Sequence, residues 1–266
     1  MSQAAERAMV DYAFHQIVTD PTDEVVREEL PEIVASGIRS LKVFLTYDPL
    51  HLDDRQFLRV LAAARRSGAL VTVHCENYHA INWRTEALLA AGLAAPKYHA
   101  WSRPPVVERE ATHRAIALAE LVDQPIQVFH VSCAEAAEEI ARAQARGLKV
   151  WGETCPQYLV LTAADMDRTG FEGAKFMCSP APRDAAVTSG VPSASDAQVR
   201  SCNRADGSAN TCRDTSTSSG TGNPANGESA EKRASFAGWL HDKAPPNCRS
   251  PASRRTGNKV SPPPSS

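Results

Sequence analysis

Four short, nearly continuous apolar runs separated by helix-length patterns constrain this chain more than any other feature. The runs are Ser40–Tyr47, Ala69–Asn77, Pro125–Cys133 and Leu148–Cys155. A strand covered on one face alternates apolar and polar residues, whereas a strand covered on both reads as an unbroken Val/Ile/Leu run. These four therefore read as buried parallel strands, and Val10–Val18 is a weaker fifth candidate. Helical patterns occupy Thr22–Ser36, Asp54–Ser67, His79–Ala91, Val107–Leu121 and Ala134–Arg146. Gly37, Gly68, Gly92 and Gly147 follow four of them, as expected where a helix ends in a left-handed residue. This alternation predicts βαβ units and a parallel sheet, either open and doubly wound or closed into a (β/α) barrel. No glycine-rich phosphate loop follows any strand, which disfavours the nucleotide-binding folds.

The alternation stops at about Ala186. From Val187 to Ser266 only six residues are Leu, Ile, Val or Phe, too few to offset the entropy of ordering by burial. That segment carries a formal charge of +4 and the rest −6. The sequence thus divides into an α/β domain over 1–186 and a low-complexity, disordered segment over 187–266. A net charge of −2 gives no support for nucleic-acid binding or for a polybasic membrane surface. No apolar run approaches the length of a membrane span, and the N-terminus does not read as a signal peptide. The seven cysteines form no CxxC pair and read as reduced thiols of a cytoplasmic protein.

Three successive strand blocks each carry an ionisable residue late in an apolar run: Lys42 in LKVFL, His74 in VTVHCEN and His130 in VFHVSC. Singly, each has an ordinary explanation. A strand histidine is more often a hydrogen-bonded core residue than a ligand, and a lysine in an apolar strand snorkels to the surface. Together, on neighbouring strands, they converge at one end of the sheet, where α/β proteins place their sites. Metal coordination satisfies such a group at least cost. Imidazoles suit zinc or a similar divalent ion, and a buried lysine in its neutral form can react with carbon dioxide to give an anionic carbamate that bridges two ions. Tyr47 could direct its phenol at a developing oxyanion, and Ser179, in the turn Met177–Pro180, could hold a polar substrate through its backbone. His15, His51, His79, His99, His113 and the cysteines read as structural or surface groups.

At these residues the chain resembles the dihydropyrimidinase/hydantoinase branch of the amidohydrolase superfamily. The resemblance is carried by DYAFHQIVTDP (Asp11–Pro21), SLKVFLTYDPLHLDD (Ser40–Asp54), VHCEN (Val73–Asn77), YHAWSRPPVVEREATHRAIALAE (Tyr98–Glu120), FHVSC (Phe129–Cys133), GETCPQYL (Gly152–Leu159) and CSPAPRDAA (Cys178–Ala186). It implies a (β/α)8 TIM barrel with two zinc ions, opening the ring amide of 5,6-dihydropyrimidines or hydantoins to N-carbamoyl amino acids. By the same resemblance, Lys42 matches the carboxylated lysine that bridges the metals, and His74 and His130 match the two histidines of one ion. Tyr47 matches the oxyanion-supporting tyrosine, and Ser179 matches the serine whose main chain binds the ring amide. Family members are commonly cytosolic homotetramers.

The family's first strand bears an HxH pair for the other metal, and its eighth bears an Asp that acts as general base. Neither pattern occurs here. The expectation is therefore a partial barrel, strands three to seven, with half a metal site and little or no hydrolysis. A shift of reading frame at about Ala186 would account for the abrupt change in composition, and a genuine acquired disordered tail is the rival explanation. The competing functional readings are a non-catalytic assembly protein of the same family and a gene remnant.

Overall fold

In the computed structural model, which describes residues 2–184, five parallel strands are hydrogen-bonded in the order in which they occur in the chain. They are β1 (Gln16–Ile17), β2 (Ser40–Phe44), β3 (Leu70–His74), β4 (Ile126–Val128) and β5 (Val150–Gly152). The helices are α1 (Ser2–Arg7), α2 (Leu30–Ala35), α3 (Asp54–Ser67), α4 (Tyr78–Ala90), α5 (Tyr98–Ser102), α6 (Pro105–Leu121), α7 (Ala134–Ala145) and α8 (Gln157–Val160). The segment 187–266 lies outside the described residues. A doubly wound sheet reverses its strand order at the binding crevice; this sheet has no such reversal. Right-handed crossovers that always step the same way lay their helices side by side on one face. Accordingly α3 packs on α2 and α6, and α6 on α7.

Register explains which strand residues meet that helix layer. Leu41 pairs with Val71 and Val71 with Ile126, while Val43 pairs with Val73 and Val73 with Val128. Side chains alternate along a strand, so these six project together, and none is more than 1% exposed. Phe57, Val60, Leu61 and Ala64 of α3, Ala111, Ala115 and Ala119 of α6, and Ala136, Ile140 and Ala143 of α7 belong to the same core. Each large apolar side chain buried there contributes about 1.5–3 kcal/mol. The other face of the sheet carries Lys42, Thr72 and Gln127 in one row and Phe44 and His74 in the next. It is this mixed face that turns the ionisable residues away from the helices.

Local signals set the ends of α3, which buries Phe57, Val60, Leu61, Ala63 and Ala64. Asp53 accepts from the Gln56 backbone N–H, and the Gln56 side chain accepts from the Asp53 N–H, a reciprocal cap on α3; such a cap contributes about 1 kcal/mol. Gly68 closes α3 at φ 72°, a conformation that a Cβ disfavours. Gly152 serves a different need, because a Cβ there would stand 2.9 Å from Ile140 Cδ1. Glycine lets α7 lie close against β5.

The strands are shorter than the apolar runs that announce them. β2 ends at Phe44 rather than Tyr47, β4 at Val128 rather than Cys133, and the block Val10–Val18 pairs only over Gln16–Ile17. The residues that follow the strands nevertheless stay buried, among them Leu45, Thr46, Cys75, Glu76, Val131, Ser132 and Cys133. An apolar run reports burial, and burial here continues past the last residue of each strand. The expected helix Thr22–Ser36 is split into a π-helical stretch, Val25–Glu29, and α2.

Candidate functional site

The second face of the sheet gathers the residues singled out in the sequence. Lys42 is the central residue of β2 and His74 the last of β3. His130 is not in a strand; it lies two residues beyond β4, in a left-handed conformation at φ 45°. The imidazoles of His74 and His130 face each other edge to face with centroids 4.4 Å apart. Lys42 Nζ stands 4.2 Å from the Phe129 ring and 4.8 Å from the Phe44 ring. Tyr47 turns back over this group at φ 72°, with its hydroxyl 3.4 Å from His74 Nε2. Ser179 faces the Tyr47 phenol and lies 3.4 Å from His99 Nε2. Two aromatic side chains in the left-handed region cost about 1–3 kcal/mol each, so packing elsewhere must hold them.

Burial and mutual repulsion lower the pKa of each of these bases. Desolvation brings the Lys42 pKa down to about 8, against the opposing pull of Cys75 and Glu153. Burial, then the neighbouring His74 and Lys42, lower His130 to about 2, and burial and Lys42 hold His74 well below its ordinary value. Both imidazoles are thus neutral at pH 7 and keep a lone pair. Burial raises the Tyr47 phenol, which keeps its proton available to donate. Buried side-chain atoms without a hydrogen-bond partner collect here: Lys42 Nζ, Glu76 Oε1, Arg103 Nε and His130 Nδ1. Leaving such groups unmade costs about 1–3 kcal/mol apiece, and atoms of this kind signal a ligand-binding role more than a packing one.

Four further ionisable residues lie near this group: Glu76 and Glu153, which the sequence analysis did not single out, and His99 and His15, which it reads as structural or surface groups. Glu76, fully buried, has its Oε2 2.8 Å from His74 Nε2 and accepts from Arg103 Nη1 at 3.4 Å. Its signal was present in VHCEN, two residues from a singled-out histidine. Glu153 acts on Lys42 through its charge. His99 donates to or accepts from its neighbours at the same edge, with Nε2 2.8 Å from the Cys178 carbonyl; bonding to a carbonyl requires the N–H form. His15, at the mouth of β1, is depressed by burial and by the Lys42 charge.

Behind the site lies a second polar group of a different kind. Glu108 and Arg183, 2% and 3% exposed, are paired at 2.7 Å. Glu108 also accepts from the Ser132 backbone N–H at 2.8 Å and the Ser132 hydroxyl at 2.5 Å. Arg183 donates to Ser132 Oγ at 2.9 Å and to the Arg103 carbonyl. Every polar atom of this pair that is buried finds a partner.

Among the described residues no group of three or more His, Cys, Asp or Glu could hold a metal ion. The donor set available is two neutral imidazoles beside a lysine amine, which fits a divalent metal only if the amine is converted to an anionic ligand. No helix of the described residues is long and apolar enough to cross a membrane.

No protein-family model matches the chain. A D-hydantoinase from Geobacillus stearothermophilus is 48% identical over 185 residues, covering 69% of this chain and 39% of the relative. A D-hydantoinase from Rhizobium radiobacter is 48% identical over 181 residues, covering 68% and 39%. The crystal structure of dihydropyrimidinase from Brevibacillus agri superposes with a TM-score of 0.67 at 45% identity, covering 70% of this chain and 41% of that one. The chain therefore spans about two-fifths of the length of the curated relatives it matches.

Proposed function

The matched part of this chain is a segment of the D-hydantoinase/dihydropyrimidinase family, and from that premise we propose that it is the central portion of a metal-dependent cyclic amidase. Residues 1–186 form five consecutive units of a (β/α)8 barrel. The sequential parallel sheet with one helix layer supports this reading. The reaction class is hydrolytic opening of a 5,6-dihydropyrimidine or hydantoin ring, in which water adds across the ring amide C–N bond to leave an N-carbamoyl amino acid.

The observation that carries the proposal is the meeting of Lys42, His74 and His130 with buried nitrogen atoms left unbonded. Lys42, at a pKa of about 8, presents a substantial neutral amine fraction at physiological pH, and that form attacks carbon dioxide, releasing a proton and leaving a carbamate. Carboxylated Lys42, His74 and His130 would together hold a zinc ion. Zinc bound there supplies Lewis acidity to the scissile amide. The Tyr47 hydroxyl, held protonated by its burial, donates to the carbonyl oxygen as it gains charge. The Ser179 backbone, set at the edge of the site by the neighbouring His99, pairs with the ring amide of a small cyclic substrate.

Zinc titration of the full chain in bicarbonate buffer tests this reading. Uptake is expected to depend on Lys42, His74 and His130 alike, and labelled bicarbonate is expected to give a carbamate carbon signal that Lys42→Ala abolishes. Zinc uptake indifferent to Lys42→Ala and His130→Ala would sink the proposal. Turnover of dihydrouracil is expected to be slow or undetectable, because the sequence has no HxH pair for a second ion.

A further inference from the structure

We propose that the N-terminal end of the sheet carries a binding site for a phosphate-bearing small molecule, formed by Arg27, Arg39 and Arg66. The three line one cavity of about 520 Å³, a volume in the range of small-molecule sites. Arg39 immediately precedes β2, Arg66 lies in the last turn of α3, and Arg27 belongs to the π-helical stretch before α2. Packing brings them together: the Arg39 carbonyl accepts from the Leu70 N–H at the start of β3, and α3 lies against α2 and the π-helical stretch. Arg66 Nη2 reaches the Val26 carbonyl at 3.4 Å. All three arginines are exposed, so a ligand can enter from solution. Among the described residues, no acidic side chain lines the cavity and none of the three guanidiniums has a carboxylate within ion-pair reach. Arg59 and Arg65 of the same α3 are both paired, with Asp23 and Asp123.

A basic residue in the last turn of a helix offsets the negative end of the helix dipole, which accounts for Arg66 alone. Arg27 sits where the π-helical stretch runs on into α2, and Arg39 lies beyond the end of α2. Charge sets the ligand class. The C-terminal ends of α2 and α3, at Ala35 and Gly68, open on the same cavity and return roughly half a negative charge each against three guanidiniums. About two positive charges remain, which match a phosphate dianion better than a monocarboxylate. The planar guanidinium fork suits phosphate oxygens. Val26, Pro31 and Val34 add an aliphatic wall, so the phosphate is expected to carry an organic body. Gly68 precedes His74, the last residue of β3, by roughly 20 Å of extended chain, so this site stands apart from the Lys42 group and does not rest on the cyclic-amidase reading.

Calorimetric titration of the full chain at low salt with hexyl phosphate, inorganic phosphate and hexanoate tests the site. Hexyl phosphate is expected to saturate one site per chain, and Arg27→Gln, Arg39→Gln and Arg66→Gln are each expected to weaken it about 10-fold. Arg55→Gln, exposed on α3 outside the cavity, should leave the affinity unchanged. Added sodium chloride should weaken binding by screening, and hexanoate should bind at least about 10-fold more weakly than hexyl phosphate. Tighter binding of the ester assigns the site to an organic phosphate; equal binding of inorganic phosphate through the same arginines assigns it to free phosphate. The inference is overturned by no saturable binding of either phosphate up to about 10 mM. It is equally overturned by an affinity indifferent to all three substitutions in variants whose unfolding midpoint is unchanged, or by hexanoate binding as tightly as hexyl phosphate.

Discussion

Two buried polar groups sit close together at one end of this sheet, and they are built to opposite rules. Around Glu108, Arg183 and Ser132, donors and acceptors are matched, with four hydrogen bonds reaching the Glu108 carboxylate from nitrogen and oxygen donors and from Cys133 Sγ. Around Lys42, His74 and His130, nitrogen atoms are buried and left without partners. The first arrangement recovers the cost of desolvation by pairing; the second bears it. Proteins keep arrangements of the second kind where a ligand completes the pairing. The difference separates the two groups by role although both are buried, polar and charged in composition.

Removing one partner from each group should therefore act in opposite directions. The largest effect is expected for Glu108→Gln, which leaves the Arg183 guanidinium buried without its counter-charge and should destabilise the fold by about 3–5 kcal/mol, as read by denaturant unfolding. An unchanged midpoint would erase the distinction drawn above.

Lys42→Met is the reverse test. In the unfolded chain the amine titrates near 10.5 and in the folded chain near 8. Between those values the unfolded state binds more protons, so wild-type stability rises with pH. Below about pH 8 the whole penalty is present, on the order of 3 kcal/mol. In metal-free buffer stripped of carbon dioxide, Lys42→Met should be the more stable protein by about that amount at pH 7, and the gap should close as pH approaches 10.5. A gap that stays constant with pH would mean that Lys42 is not the strained group described here.

The smallest of the three effects is expected for Ser132→Ala. It deletes a hydroxyl that donates to Glu108 and accepts from Arg183 but leaves the ion pair itself, and should cost about 1–2 kcal/mol. A loss as large as that of Glu108→Gln would show that the hydroxyl, rather than the charge pair, organises this group.

Much of the architecture was legible in the sequence because it is local. Gly68 marks the end of α3, and the apolar runs locate β2, β3, β4 and β5. Their ends were not legible, since Val131, Cys133 and Cys75 stay buried beyond the last strand residues. Lys42 and His74 stood out because a charge inside an apolar run has to be explained. His130 stood out for the same reason and yet proved to lie in a loop, because a buried loop and a buried strand leave the same apolar trace. Glu76 was visible but unremarked, as its meaning depends on Arg103 coming within 3.4 Å from 27 residues away. The pairing of Glu108 with Arg183, 75 residues apart, has no local signature. Neither residue type nor spacing announces a contact that only the closing of the fold creates.

That closing has a timetable. Arg183 reaches back 80 residues to hold the carbonyl of Arg103, and through Arg103 it steadies Glu76 and His74. A chain made at about 5–20 residues per second delivers Arg183 roughly 4–16 s after Arg103 has been joined. Strands, helices and apolar core can assemble in that interval from what has already emerged. The contact that holds Arg103 therefore forms after the sheet and helix layer around it have already been made.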